Sequence, residues 1–150
     1  MQVHEFLNYS KRFYGIENGE ERIAELSDLF ELDPERKIGD LSMGNRKKVS
    51  IVQSLLNRTK ILIMDEPTTG LDPLMQAKLF ELLRSENRKG MTIFFSSHIL
   101  NEIQLLCKRV AIIKEGKIIK LEDIETLRRK QLKKVHIGFE EKDIGSDFNI

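Results

Sequence analysis

Apolar and polar positions repeat along this chain with two different periods, and the change falls near residue 60. Before it the spacing is helical. Phe6, Leu7 and Tyr9 lie in an opening amphipathic stretch that breaks between Gly15 and Gly19. From Glu20 to Leu32, Ile23, Leu26 and Phe30 recur one helical turn apart, with Glu and Asp between them. Asp33-Pro34 punctuates, and Lys37 to Asp40 leads into a further helix from about Met43 to Asn57. That helix would present Val49, Val52, Leu55 and Leu56 to a core, with Ser42 placed to cap it. Beyond residue 60, short apolar runs alternate with helical patterns: strand Ile61–Met64, helix Pro73–Glu86, strand Thr92–Phe95, helix Ile99–Cys107. The unbroken run Ile61-Leu62-Ile63-Met64 suits a strand buried on both faces. The last of these helices carries Ile99, Ile103 and Leu106 on one face, and the alternation predicts parallel βαβ units. Arg109–Lys114 and Lys117–Leu121, joined by Glu115-Gly116, read as a hairpin. A helix over Asp123–Gln131, a strand over Val135–Phe139 and a polar, frayed end through Ile150 complete the pattern.

Composition narrows the class without naming a function. The 150 residues suit one domain with a real core, and 40% hydrophobic with 33% charged residues is ordinary for a soluble globular protein. A net charge of +1 gives no bulk reason to expect nucleic acid or an anionic membrane as partner. The local basic clusters Arg46-Lys47-Lys48 and Arg128-Arg129-Lys130 read as solvated helix faces. Cys107 is the single cysteine, so no internal disulfide can form, and it reads as a buried inert thiol on an apolar helical stretch. With three scattered histidines there is no zinc-site spacing, and His4 and His136 read as surface or packing residues. No long apolar run or signal segment stands in the sequence, from which a chain that neither crosses a membrane nor is exported is expected.

The chemistry is concentrated in Ile61-Leu62-Ile63-Met64-Asp65-Glu66-Pro67-Thr68-Thr69-Gly70-Leu71-Asp72-Pro73. Two adjacent carboxylates close a strand at its carboxyl end, where open α/β sheets bind their ligands. A turn follows, and then Asp72-Pro73 reads as an N-cap with Pro in the first helical position. Together these features describe a metal-nucleotide site. The segment resembles the Walker B motif and D-loop of ATP-binding cassette (ABC) ATPases. Leu41-Ser42-Met43-Gly44-Asn45 resembles the ABC signature, and Ser96-Ser97-His98 after Ile93-Phe94-Phe95 resembles the switch-histidine loop. Their order and spacing together are highly specific. None of the nine glycines opens a G-x-x-x-x-G-K-[ST] phosphate loop, and no glutamine loop is present. Met1 to Leu7 resembles the segment after that loop, so the chain reads as a fragment matching the later part of the family's domain.

The resemblance implies an α/β fold: an incomplete P-loop NTPase-type parallel sheet with an N-terminal helical subdomain. Residues 1–58 would form the helical signature subdomain, 59–121 part of the RecA-like core, and 122–150 the start of a C-terminal extension. ATP and Mg²⁺ are the implied cofactors, with Asp65 as the metal ligand. Glu66 would be the general base and His98 would hydrogen-bond the γ-phosphate. Ser42, Gly44 and Asn45, at a helix start that attracts anions, would contact a nucleotide held by the opposite subunit. Met43 and Asn45 depart from the common Leu-Ser-Gly-Gly-Gln, though Asn45 keeps a side-chain amide and similar substitutions occur in exporter-type members. Asp72 would cap its helix and also lie along the dimer seam. The implied partners are a second ABC subunit and membrane-spanning permease subunits, with the protein peripheral to the inner face of the cell membrane. The wording around the signature, D-loop and switch histidine is close to bacterial exporters. The leading expectation is therefore an ATP-hydrolysing subunit of an ABC exporter. Two alternatives stay open: a non-catalytic module that lends its signature to a complete cassette, and an ABC ATPase outside transport. In the family the strand ending at the switch histidine lies beside the phosphate-loop strand. Thr92–Phe95 is thus expected to leave an apolar edge unpaired and the chain to be marginally folded or to associate.

Overall fold

The computed structural model describes residues 1–130. The expected strand at Val135–Phe139, the frayed end and His136 lie outside the described residues. These fall into two compact units, Met1–Leu106 and a second beginning at Cys107.

The first unit opens with three helices. In α1 (Val3–Phe13) the Gln2 backbone N–H donates to the Glu5 carboxylate at 2.6 Å, while Lys11 and Arg12 occupy the last turn, both favourable to the helix dipole. Leu7 is fully buried and Phe6 partly so, but Tyr9 projects to solvent and stacks on Phe13 with ring centroids 6.3 Å apart. The predicted break follows, with Gly15 in the left-handed region at φ 63°. Helix α2 (Glu20–Leu29) buries Leu26 and is followed at once by buried Phe30. A 3₁₀ turn, Ile38–Asp40, leads into α3 (Met43–Leu56), which buries Val49, Ile51, Val52, Leu55 and Leu56.

Strand β1 (Ile61–Met64), helix α4 (Pro73–Arg88) and strand β2 (Thr92–Phe95) then form the predicted parallel βαβ unit. The strands run in register from Ile61 opposite Thr92 to Met64 opposite Phe95. One hydrophobic cluster joins Leu7, Leu26, Phe30, Val52 and Leu55 of the helices to Leu62, Met75 and Leu79, so the helical part and the βαβ part share a core. A buried ion pair reinforces that joint: the Arg22 guanidinium donates to Glu86 Oε1 at 2.9 Å across 64 residues of sequence. The unit ends with α5 (Leu100–Leu106), shorter than the predicted Ile99–Cys107.

Burial of β1 on both faces is not what the structure shows. Side chains alternate across a strand, and the core takes only Leu62 and, in part, Met64 and Ile93. Ile61, Ile63 and Phe94 share the opposite face and are 61%, 74% and 62% exposed, because no described residue of this unit covers it.

In the second unit, β3 (Arg109–Lys114) and β4 (Lys117–Asp123) form the predicted antiparallel hairpin. Glu115 and Gly116 both have positive φ, 51° and 72°, as a two-residue type I′ turn requires. Helix α6 (Ile124–Lys130) follows, tied back by an Ile124 N–H to Lys108 carbonyl bond of 2.9 Å. Cys107 lies just past α5 rather than on it; it is half-buried, and burial pushes its thiol pKa up, away from the reactive thiolate.

Candidate functional site

Strands β1 and β2 end side by side, and the backbone ladder continues one step beyond them through the Ser96 N–H to the Met64 carbonyl at 3.0 Å. This places Ser96 against the acid pair. Its hydroxyl donates to Asp65 Oδ1 and accepts the Glu66 backbone N–H at 3.0 Å. Asp65 is thereby oriented at the strand end. Glu66 adopts φ 43°, the left-handed region that a non-glycine residue rarely occupies. That conformation starts the tight turn through Pro67 to Gly70, closed by the Leu71 N–H to Thr68 carbonyl bond of 3.0 Å. The two carboxylates take different partners, Ser96 for Asp65 and His98 for Glu66. Glu66 Oε1 meets His98 Nδ1 at 2.9 Å, while Glu66 Oε2 is buried with no hydrogen-bond partner among the described residues. His98 is itself 75% exposed. The Glu66 hydrogen bond, then the Glu66 charge, raise its pKa above the usual imidazole value, with a smaller contribution from Glu102.

The loop bearing His98 is anchored on both sides. Ser97 Oγ donates to Glu102 Oε2 at 2.6 Å and accepts the Ile99 N–H at 3.0 Å.

The signature residues sit at the start of α3. Ser42 caps it, its hydroxyl accepting the Asn45 N–H at 3.3 Å. Gly44 is required here by the fold itself: a Cβ on it would stand 2.6 Å from the Gly70 carbonyl oxygen, so the signature helix and the turn after Glu66 touch backbone to backbone. Lys47 ties the same surfaces together, its ammonium donating to the Asp65 carbonyl at 3.2 Å. That bond departs from the solvated face expected of the Arg46-Lys47-Lys48 cluster, and Arg46 is engaged too, its Nε donating to the Leu41 carbonyl at 2.9 Å. Asp72 accepts the Met75 N–H at 3.0 Å, with Pro73 opening α4 as predicted. This bond is the main cause holding the Asp72 carboxyl below the usual carboxylate range.

Asp65, Glu66 and His98 thus converge, while Ser42, Gly44 and Asn45 reach them through Lys47 and the Gly70 turn. Sequence reasoning missed Ser96, Lys47 and Glu102. The two serines before His98 and the acid four residues after it were the available signals.

Comparison with known proteins shows what the whole chain is similar to. Residues 6–104 match the family described as "AAA domain, putative AbiEii toxin, Type IV TA system". The ABC transporter ATP-binding protein NatA of Bacillus subtilis (strain 168) is 38% identical over 131 residues, covering 85% of this chain and 53% of that protein. Nod factor export ATP-binding protein I of Burkholderia orbicola (strain AU 1054) is 35% identical over 121 residues, covering 78% of this chain and 40% of that protein. A solved structure described as the ATP-binding subunit of an ABC transporter superposes with a TM-score of 0.81 at 29% identity, over 86% of this chain and 55% of the other. The chain belongs to the ABC ATP-binding protein family. Its fold is the P-loop NTPase fold of that family, and nucleotide binding is the family's business. This ABC chain spans only about half or less of the length of the curated relatives it matches. Among its described residues no helix is long and apolar enough to cross a membrane.

Proposed function

We propose that this chain supplies the Walker B, switch-histidine and signature portion of an ATP-hydrolysing site that drives transport. The observation that carries this reading is the meeting of Glu66 and His98 at 2.9 Å, beside Asp65, at the carboxyl ends of two parallel strands. The unpartnered Glu66 Oε2 is a buried acceptor suited to an attacking water, whose proton it would take. His98, cationic over a wider pH range because of Glu66, uses Nδ1 toward that carboxylate and leaves Nε2 to donate to a phosphate oxygen.

Asp65 is the residue that would hold Mg²⁺. Ser96 orients the Asp65 carboxylate at the strand end, and Mg²⁺ takes one or two carboxylates and completes its shell with water and phosphate. When bound, Mg²⁺ neutralises charge on the transferred phosphoryl group. Ser42, Gly44 and Asn45 would meet the γ-phosphate of a nucleotide held by a second ABC subunit, and Asp72 would lie on that seam. Hydrolysis would then be coupled to permease subunits at the cytoplasmic face of the membrane. Export is the favoured direction, supported by the exporter-like wording of the motifs and by a relative whose name includes export.

Calorimetric titration of the chain with Mg²⁺-ATP, with Glu66→Gln alongside to suppress turnover, tests the reading. No saturable binding is expected, because the phosphate cradle would come from another segment or subunit. Saturable micromolar binding would overturn this division of the site. Mixing with a complete cassette then separates catalysis from signature donation alone: stimulated hydrolysis that Glu66→Gln diminishes supports the first, and stimulation indifferent to it supports the second.

A further inference from the structure

The residues flanking His98 are pinned, although His98 itself stands in solvent. On one side Ser97 Oγ donates to Glu102 Oε2 at 2.6 Å; on the other, the Ile99 N–H donates to the same hydroxyl at 3.0 Å. Glu102 closes the ring, since its own backbone N–H donates to the Ile99 carbonyl at 3.1 Å. Glu102 is 4% exposed, and its buried Oε1 has no hydrogen-bond partner among the described residues. A carboxylate buried with one oxygen unpaired is costly, and an apolar side chain would pack there more cheaply. Complementing the dipole of the seven-residue α5 does not require burial, because an exposed first-turn acid does the same. What Glu102 does that an apolar residue would not is hold Ser97.

We propose that Glu102 is a positioning residue: through Ser97 and the Ile99 amide it fixes the loop that aims the His98 imidazole at Glu66. The proposal rests on the site reading above for its functional meaning, but its test requires no nucleotide.

The test is NMR of the full chain. Nuclear Overhauser contacts between the His98 ring and the Glu66 side chain are compared with ring carbon relaxation in the wild type, Glu102→Gln, Glu102→Ala and Ser97→Ala. Glu102→Gln keeps an acceptor for Ser97 and is expected to preserve the contacts. Glu102→Ala and Ser97→Ala are each expected to lose them and to free the ring, with the remaining amide spectrum native. The double alanine variant is expected to add nothing to either single one, because both break one linkage. Retained ring contacts in natively folded Ser97→Ala would overturn the proposal, as would their loss in natively folded Glu102→Gln. Should Glu102→Ala fail to fold, these two variants decide the matter alone. A negative result here leaves the ATPase reading standing, and negative ATP titrations leave the positioning role standing.

Discussion

Gly44 shows how a single residue serves two surfaces. Its missing Cβ admits the Gly70 carbonyl, so Gly44→Ala must push two backbones apart. Overpacking of this kind costs about 1–3 kcal/mol, and chemical denaturation is expected to show a loss in that range. Gly39→Ala is the control, since a Cβ there meets nothing within 4 Å. A second expectation concerns pH. Glu66 raises the pKa of His98 in the folded chain above its unfolded value of about 6.5. The pair therefore contributes stability that is fully present below that value and is lost as pH rises through the folded pKa. Urea midpoints are expected to fall from mildly acidic to alkaline pH by more in the wild type than in His98→Ala. The effect is small because the imidazole is exposed. Equal pH dependence in both proteins would remove the ion pair from the account. Ser42 and Asp72 were legible as caps because their acceptors serve amides three residues on. The contacts Ser96 to Asp65 and Lys47 to Asp65 span 31 and 18 residues, and no local pattern encodes them.

Elements were legible where one period held and where the turn chemistry was local. The strand-helix-strand unit and the Glu115-Gly116 hairpin followed directly from alternation and from a dipeptide able to adopt positive φ. Helix ends shifted by a residue or a few, as in α5. What periodicity could not convey was the polar joint between α2 and α4. Arg22 lies among acidic residues in a helical pattern and looks solvent-facing, yet it is buried against Glu86. Burial acts to raise the Glu86 pKa, but the Lys89 and Arg22 cations outweigh it and the carboxyl stays below its usual range. The pair's stability is thus present above the ordinary glutamate value and is lost as pH falls through the folded pKa. Glu86→Ala leaves the buried guanidinium with Glu25, at 2.9 Å, as its remaining acid, and a loss of at most about 3–5 kcal/mol is expected. The double variant Arg22→Met/Glu86→Leu removes both charges and is expected to lose much less. Thermal unfolding of the three proteins at neutral pH checks this, and equal losses in single and double variants would count against it.

At the scale of the whole molecule, the informative surface is the uncovered face of the β1–β2 sheet. Four consecutive apolar residues announced a strand suited to burial on both faces, but a sequence run says what a strand can bury, not what is there to bury it. The core helices cover Leu62, and Ile61, Ile63 and Phe94 are left facing outward. Among the described residues β2 pairs with β1 alone, so an unpaired edge adjoins this apolar face, the combination that favours association between chains. Concentration-dependent self-association is therefore expected in sedimentation velocity. Ile63→Lys and Phe94→Lys place a charge on the exposed face without touching the core, and each is expected to shift the distribution toward monomer while preserving the helical circular dichroism signal. A wild-type chain that sediments as a monomer at high concentration would show that this face is not adhesive. Association that survives both lysines would move the contact elsewhere, with the apolar side chains Ile113, Ile118 and Ile119 of the β3–β4 hairpin as the next surface to charge.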